Sequence, residues 1–297
     1  VIVDFALMAE RHSMPMHVPA FHEWFNDDGS IYLSFFRQPQ GYLLRFPQMA
    51  DFDVARDGKT VRAWPEAGLS SGTLEHLWLN QVLPLALTLQ GRLVLHGSAV
   101  SIDGRGVAFL GSSGMGKSTL AASFAVCGTH FLTDDGLLLG EDGGWPTVVP
   151  SHPSVRLWQD SEEALLPPGS ARAPAVCFTD KARLLAGPSI AFRPEPAPLG
   201  CVYFLDDQEV SEVTITPMKP ADVMISCVKN SFLLDIDEQE QLSNHFNELA
   251  RLAELPIHFR LDYPREYEHL PMVRQAIVSH TQNLFLIHQD DSSRNPL

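Results

Sequence analysis

Val107-Ala-Phe-Leu110, followed at once by Gly111-Ser-Ser-Gly-Met-Gly-Lys-Ser118, decides how this chain is read. The octapeptide fits G-x-x-x-x-G-K-[ST], the pattern of a loop that cradles phosphates. Four apolar residues of strand character precede it, and Leu120, Ala121, Phe124 and Ala125 follow it as an amphipathic helical run. Composition alone would produce the octapeptide in about one chain of this length per hundred, so the strand–loop–helix setting carries the assignment. Gly111, Gly114 and Gly116 permit backbone conformations closed to residues with a Cβ, letting successive N–H groups point into one concavity. Lys117 is placed to set a point charge on the β- and γ-phosphates. Ser118 offers its hydroxyl to Mg²⁺, and the new helix aims its positive end at the anion. The expected nucleotide-binding set is therefore Gly111, Ser112, Ser113, Gly114, Met115, Gly116, Lys117, Ser118 and Thr119.

Downstream, His130-Phe-Leu-Thr133 reads as a short strand that ends in Asp134-Asp135. In a parallel α/β sheet that strand end lies on the same rim as the phosphate loop. Alternation along an extended chain turns neighbouring side chains apart, which suits two jobs: one carboxylate on Mg²⁺, the other taking a proton from an attacking hydroxyl. An isolated Asp-Asp-Gly is an ordinary surface turn; its place after the loop's helix is what marks it. His96, in Leu95-His-Gly-Ser98, reads by itself as a hydrogen-bonded, half-buried histidine.

Further out, residues 1–70 are β-rich, with strands at Ile31–Phe36 and Tyr42–Phe46 and a hairpin turn at Asp57-Gly58. Ser70 or Ser71 caps a helix that Pro84 is expected to kink. Asp103-Gly104 turns a second hairpin, and Asp142-Gly143-Gly144 a third. Strand character resumes at Cys201–Leu205, Val213–Thr216 and Ile257–Leu261. Helices are expected over Ala221–Phe232, Glu238–Leu255 and Tyr267–Thr281. Between Pro167 and Pro198 the chain is rich in Pro and Ala, a long excursion with one short element near Ala182–Leu185 and the composition of a lid or docking loop. The polar tail from Gln289 is expected to fray.

Composition excludes several classes. The 297 residues carry a net charge of −15, which argues against broad nucleic-acid binding. The longest apolar stretch, Leu74–Leu95, is broken by Asn80, Gln81, Gln90 and Arg92, so no membrane span is expected. Cys127, Cys177, Cys201 and Cys227 form no C-x-x-C pair, and reduced thiols in a cytoplasm fit best. The N-terminus has no signal-peptide pattern, and the opening Val1 implies a trimmed chain. No G-x-G-x-x-G follows a strand, no G-x-S-x-G elbow is present, and none of the histidines falls in H-E-x-x-H.

Taken together, Leu95-His96-Gly97, Gly104-Arg-Gly106, the loop Gly111–Ser118 and Gly128-Thr-His-Phe-Leu-Thr-Asp134-Asp135 resemble the catalytic domain of HPr serine kinase over residues 95–136. The resemblance implies an α/β fold, a P-loop kinase domain of the HPr kinase/PEP carboxykinase type with a small β-rich N-terminal region. With the pattern changes along the chain, the expected division is a β-rich region over residues 1–70, a catalytic domain over 71–286 and a polar tail over 287–297. It implies ATP and Mg²⁺ as cofactors and a peptide or protein substrate bearing a serine, with no nucleic-acid or membrane partner. By the same resemblance Lys117 and Ser118 serve phosphate and magnesium, Asp134 is the general base, His96 orients it, and Asp135 is a metal partner. The family's Gly-rich stretch after the acidic pair has no counterpart here, which leaves phosphate removal, and HPr itself as substrate, without support. Pro153-Ser-Val-Arg156-Leu-Trp158 and Tyr263-Pro-Arg265 look like stretches of the lasso-peptide tailoring kinases, which phosphorylate a C-terminal serine of a precursor.

Four cations stand out: Arg156, Lys181, Arg183 and Arg265. Arg156, ahead of Leu-Trp after a Pro-bounded turn, is the strongest candidate for a phosphate or substrate contact. Lys181 and Arg183 read as solvated surface charges. Two other functions share the phosphate loop: a nucleotide-dependent switch or ATPase that phosphorylates no partner, and a carboxykinase for a small metabolite. The extra acid favours the kinase over the switch, and the lack of an arginine cluster for a dicarboxylate disfavours the carboxykinase.

Overall fold

Period-two alternation of Leu33, Phe35, Leu44, Phe46, Phe52 and Val54 sends one face of an antiparallel sheet into a core, and each of these side chains is fully buried. The computed structural model describes residues 3–26, 28–166, 176, 181–187, 190–208 and 210–294, with side chains to residue 286 in the last helix. Parts of the Pro167–Pro198 excursion, Cys177, and the last three residues of the tail lie outside the described residues. The fold is mixed α/β with a β-rich N-terminal region, and the chain divides into two units.

The first unit takes the described residues to Arg92 together with Phe232–Asn244. Its strands are β1 (Asp4–Leu7), β2 (His22–Phe25), β3 (Ile31–Gln38), β4 (Gly41–Phe46), β5 (Ala50–Ala55) and β6 (Thr60–Pro65), in the order β1-β6-β5-β4-β3-β2. The β5–β6 turn falls at Asp57-Gly58 as expected. Gly58 has φ +67, and a Cβ there would meet the Ala86 carbonyl oxygen at 2.1 Å, so only glycine fits. Two helices cover the sheet, α1 (Ser71–Leu77) and α2 (Leu83–Leu89). Ser70 caps α1 by accepting the Thr73 N–H. The kink expected at Pro84 takes the form of a π-helical turn, Trp78–Val82, which absorbs the missing donor and the ring. Leu77, Val82 and Leu85 pack on the sheet's core, so the first compact unit runs to Arg92 and not to residue 70, because these helices bury their apolar stripe here. Leu234 joins the same core, and the fully buried Asp235 receives both Nε and Nη2 of Arg37 at 2.7 Å.

The second unit holds β7 (Leu93–Ile102), β8 (Arg105–Leu110), α3 (Lys117–Ala125), β9 (His130–Thr133), β10 (Gly136–Asp142), β11 (Trp145–Val149), β12 (Ser154–Leu157) and α4 (Gln159–Leu165). It continues with β13 (Ala182–Leu185), β14 (Ala197–Leu205), β15 (Thr214–Pro217), α5 (Pro220–Lys229), most of α6 (Gln239–Ala253), β16 (His258–Asp262) and α7 (Leu270–Arg294). The main sheet runs β11-β10-β7-β8-β14-β16-β15, and β9 also pairs with β7. Leu120 and Phe124 of α3 pack with Val273 and Ile277 of α7 against Phe109 and Tyr203 on one face. Val223 and Cys227 of α5 and Leu249 of α6 pack against Ala108 and Val202 on the other. Burying side chains of this size contributes about 1.5–3 kcal/mol apiece.

Two expectations need correction. The sheet is parallel only across β8, β14 and β16, because the Asp103-Gly104 hairpin makes β7 antiparallel to β8. Helix α7 is not limited to Tyr267–Thr281: after a 3₁₀ turn at Tyr267–His269 it continues to Arg294, with Phe285 buried on the way.

Candidate functional site

The site is assembled on the middle of β7. On one side β8 pairs Gly97 with Leu110 and Ser98 with Phe109, then releases the chain into the phosphate loop. On the other side β9 pairs Thr133 with Ala99, and β10 pairs Gly136 with His96. Asp134 and Asp135 therefore interrupt what is otherwise one continuous line of chain, opposite Gly97 and Ser98. The acids follow the end of β9 at Thr133, as expected, but β9 runs antiparallel to β7 and the chain continues directly into β10 at Gly136.

The interruption is strained. Asp135 has φ +62, and the Gly136 N–H donates to the Asp134 carbonyl at 2.7 Å across it, closing a three-residue turn. That twist breaks the alternation of the strand. Gly97 anchors it by donating its N–H to the Asp135 carbonyl at 3.2 Å. A Cβ on Gly97 would lie 2.9 Å from the Phe109 carbonyl oxygen, so glycine is what lets β7 lie close to β8 here.

Around the acids the structure brings together most of the residues singled out in the sequence. Ser118 Oγ donates to Asp134 Oδ1 at 2.8 Å, and Ser98 Oγ donates to the same oxygen at 2.6 Å. The backbone N–H of Arg156 donates to Asp134 Oδ2 at 2.9 Å. The Arg156 guanidinium pairs with Asp135 Oδ2 at 3.1 Å. One residue thus grips both acids, the first through its backbone and the second through its side chain. His96 Nδ1 donates to the Asp135 carbonyl at 3.1 Å, and the His96 amide donates to Asn230 O at 2.6 Å. Lys117 Nζ donates to the carbonyls of Gly111 and Ser112 at 2.8 and 3.0 Å, which fixes its ammonium over the loop.

Burial dominates the electrostatics. It lowers Lys117 to about 8 and His96 to about 4, Lys117's charge adding to the second effect, so the imidazole is neutral at ordinary pH. Burial and the neighbouring Asp135 charge push the Asp134 carboxyl above the usual carboxylate range, against the three donors that favour its anion. Burial would raise Asp135 as well, but Arg156 above all, with Lys181, holds it below its ordinary value.

The two acids consequently have different neighbours. The sequence reading set Asp134 as the base and Asp135 as the metal partner, whereas it is Asp134 that touches Ser118 and Asp135 that pairs with a cation. Thr119 turns its hydroxyl away to Ser161 Oγ at 3.1 Å, which in turn meets Tyr267 OH at 2.9 Å. Arg265 bonds the loop from outside, donating Nη1 to Met115 O at 2.6 Å and Nη2 to Asp206 O. Arg183 is not a solvated charge: it is buried, with Nε donating to Ser154 Oγ at 3.1 Å, because the β12–β13 register sets it beside Arg156. Lys181 bears on Asp135, Lys117 and His96. Ser98 was missed, although strand alternation from His96 would have found it.

The donor set fits a magnesium–triphosphate. A serine hydroxyl beside a buried carboxylate is an all-oxygen pair, and Mg²⁺ takes one or two protein carboxylates and completes its shell from phosphate and water. Among the described residues no group of three or more His, Cys, Asp or Glu forms a dedicated metal cage. The loop backbone also fits: Gly111, Gly114 and Gly116 have φ of +149, +85 and +80, and a Cβ on Gly111 would strike the Leu205 carbonyl oxygen at 2.7 Å. Among the described residues no helix is long and apolar enough to cross a membrane.

No protein-family model and no curated protein sequence matches the chain. Among solved structures, the Hpr(Ser) kinase/phosphatase from Coxiella burnetii is similar over 54% of this chain and 90% of that chain, at 13% identity and a TM-score of 0.26. A likeness of that size carries neither fold nor function across, so the functional reading stands on the site itself.

Proposed function

We propose that the chain is an ATP-dependent phosphotransferase whose acceptor is a serine hydroxyl of a peptide or protein. The observation that carries the reading is the meeting of Lys117, Ser118, Asp134 and Asp135 at one point, with the glycine-rich loop on one side and, on the other, two acids, Asp134 buried and Asp135 half-buried. Bound Mg²⁺·ATP would supply the phosphoryl group and spread the charge of its transfer.

The residues divide the work as follows. The loop amides and Lys117 would hold the β- and γ-phosphates, and Ser118 and Asp134 would hold the metal. Asp135 receives the serine proton as the serine oxygen bonds phosphorus and the ADP oxygen leaves. Giving Asp134 to the metal and Asp135 to the proton follows the hydrogen bonds: both oxygens of Asp134 already accept protein donors, while Asp135 is bonded to Arg156 through Oδ2. A phosphoryl transition state is loose, so the base's position matters more than its strength, and a lowered Asp135 suffices. His96 holds the Asp135 backbone in its strained turn and acts as a positioning residue. Arg156, freed toward the γ-phosphate, would add charge stabilisation.

The narrower reading, a serine at the C-terminus of a lasso-peptide precursor, rests on sequence resemblance. Purified protein, MgATP and serine peptides with free or amidated C-termini test both by mass spectrometry. A phosphate's mass gain on serine with the unmodified protein, and none with Lys117→Ala, is expected. Phosphate release without any modified peptide would make the chain an ATPase.

A further inference from the structure

Just beyond the site, Trp158 is 49% exposed, with Lys181 Nζ 5.0 Å from its ring centroid. The pairing is built by register. Strand β12 pairs Arg156 with Arg183 and Leu157 with Ala182 across β13, and the next step sets Trp158 opposite Lys181. Alternation sends Val155 and Leu157 into the core and turns Arg156 and Trp158 to the other side. Arg156 is the residue that reaches Asp135. The Trp158 backbone therefore lies about 7 Å, or two residues of extended chain, from the Arg156 N–H that meets Asp134.

Charge singles this strand pair out. The chain carries a net charge of −15, yet Arg156 and Arg183 on two short paired strands and Lys181, just before the second, stand together. Arg183 is buried on Ser154, and Arg156 pairs with Asp135. Lys181, whose charge also bears on Asp135, lies over the exposed indole of Trp158, a combination that presents a flat apolar face beside a positive charge to an incoming chain. Over the rest of an acidic protein an acidic peptide is repelled, so a local cation beside the site confers selectivity.

From this geometry we infer that Trp158 and Lys181 seat the acceptor segment, selecting a peptide with an acidic side chain about two residues from its serine. The serine's fate rests on the phosphotransfer reading; the binding does not.

Three N-acetylated, C-amidated peptides test it, identical except for Asp, Asn or Lys two residues from the serine. Each is titrated into the full chain without nucleotide, followed by calorimetry and by tryptophan fluorescence against Trp158→Phe. The Asp peptide binds about tenfold tighter than the Lys peptide. Lys181→Arg keeps that order, Lys181→Glu inverts it, and Trp158→Ala weakens all three. Equal affinities for the three peptides, or an unchanged order in Lys181→Glu, overturn the inference; Lys181→Gln, which abolishes the preference without reversing charge, serves if Lys181→Glu melts early. Loss of nucleotide affinity in Trp158→Ala with peptide affinity intact also overturns it, since the indole would then serve the nucleotide. With MgATP added, a kept binding order and no phosphate on any peptide would sink the phosphotransfer reading and leave the docking pair standing.

Discussion

Ser118 Oγ lies 2.8 Å from Asp134 Oδ1, joining the first helical turn after the phosphate loop to the buried first member of the acidic pair. Ser98 Oγ reaches the same oxygen from β7 at 2.6 Å. The loop on β8 and the acids beside β7 are thus tied to each other by the protein's own hydrogen bonds.

Separating the roles of the two acids is the first prediction. Asp134→Asn raises the Mg²⁺ concentration needed for half-maximal transfer by about tenfold, as expected when one carboxylate ligand is lost. Asp135→Asn leaves nucleotide and Mg²⁺ binding in place and lowers the transfer rate by about 10²–10⁴. Single-turnover rates measured across a Mg²⁺ titration distinguish the two, and identical profiles for both variants would show that the acids share one role.

Removing Ser98 tests how Asp134 is held. Ser98→Ala deletes a donor to a buried carboxylate and costs about 1–3 kcal/mol in urea unfolding. A cost near zero would mean that Asp134 takes up its proton and no longer needs the bond.

Lys117 gives nucleotide binding a pH dependence of known sign. Burial lowers its ammonium to about 8, so above that pH the free protein has lost the proton that the phosphates require. Binding must then take up one proton, and affinity falls by up to about tenfold per pH unit above 8. Calorimetry in buffers of different ionisation enthalpy reads the uptake directly. Proton-neutral binding at pH 9 would contradict the assignment.

Much of this arrangement is legible in the chain, because loop and turn chemistry is local. Gly111, Gly114 and Gly116 announce the cradle, and Asp57-Gly58 and Asp103-Gly104 announce their hairpins, since positive φ favours these residues. What depends on partners distant in the chain is not. All four residues of β1 are exposed, and the strand is held by its parallel pairing with β6 and by Phe5 stacking on Trp78, both distant in the chain. Strand β12 and the burial of Arg183 follow from a register that no local pattern encodes. The same holds for the return of Phe232–Asn244 to the first unit, where Asp235 meets Arg37.

That ion pair supplies an acid-stability prediction. Burial would raise Asp235, but the bidentate bonds from Arg37 win and hold its carboxyl below the ordinary value. Its stabilisation is complete above the unfolded carboxylate value of about 4 and is lost as pH falls through the lower folded value. Asp235→Asn therefore destabilises the protein by about 1–3 kcal/mol at pH 7, and the difference from the unmodified protein shrinks toward pH 2. Urea unfolding at both pH values checks it; a constant difference would remove Arg37–Asp235 from the acid response.

The most direct test of the convergence of loop and acids is a crystal structure with a non-hydrolysable triphosphate and Mg²⁺. The β- and γ-phosphates should lie on the amides of residues 111–118 with Lys117, the metal on Ser118 and Asp134, and the terminal phosphorus facing Asp135. A triphosphate seated elsewhere, or bound in the loop with both aspartates turned from its terminal phosphate, would contradict the account.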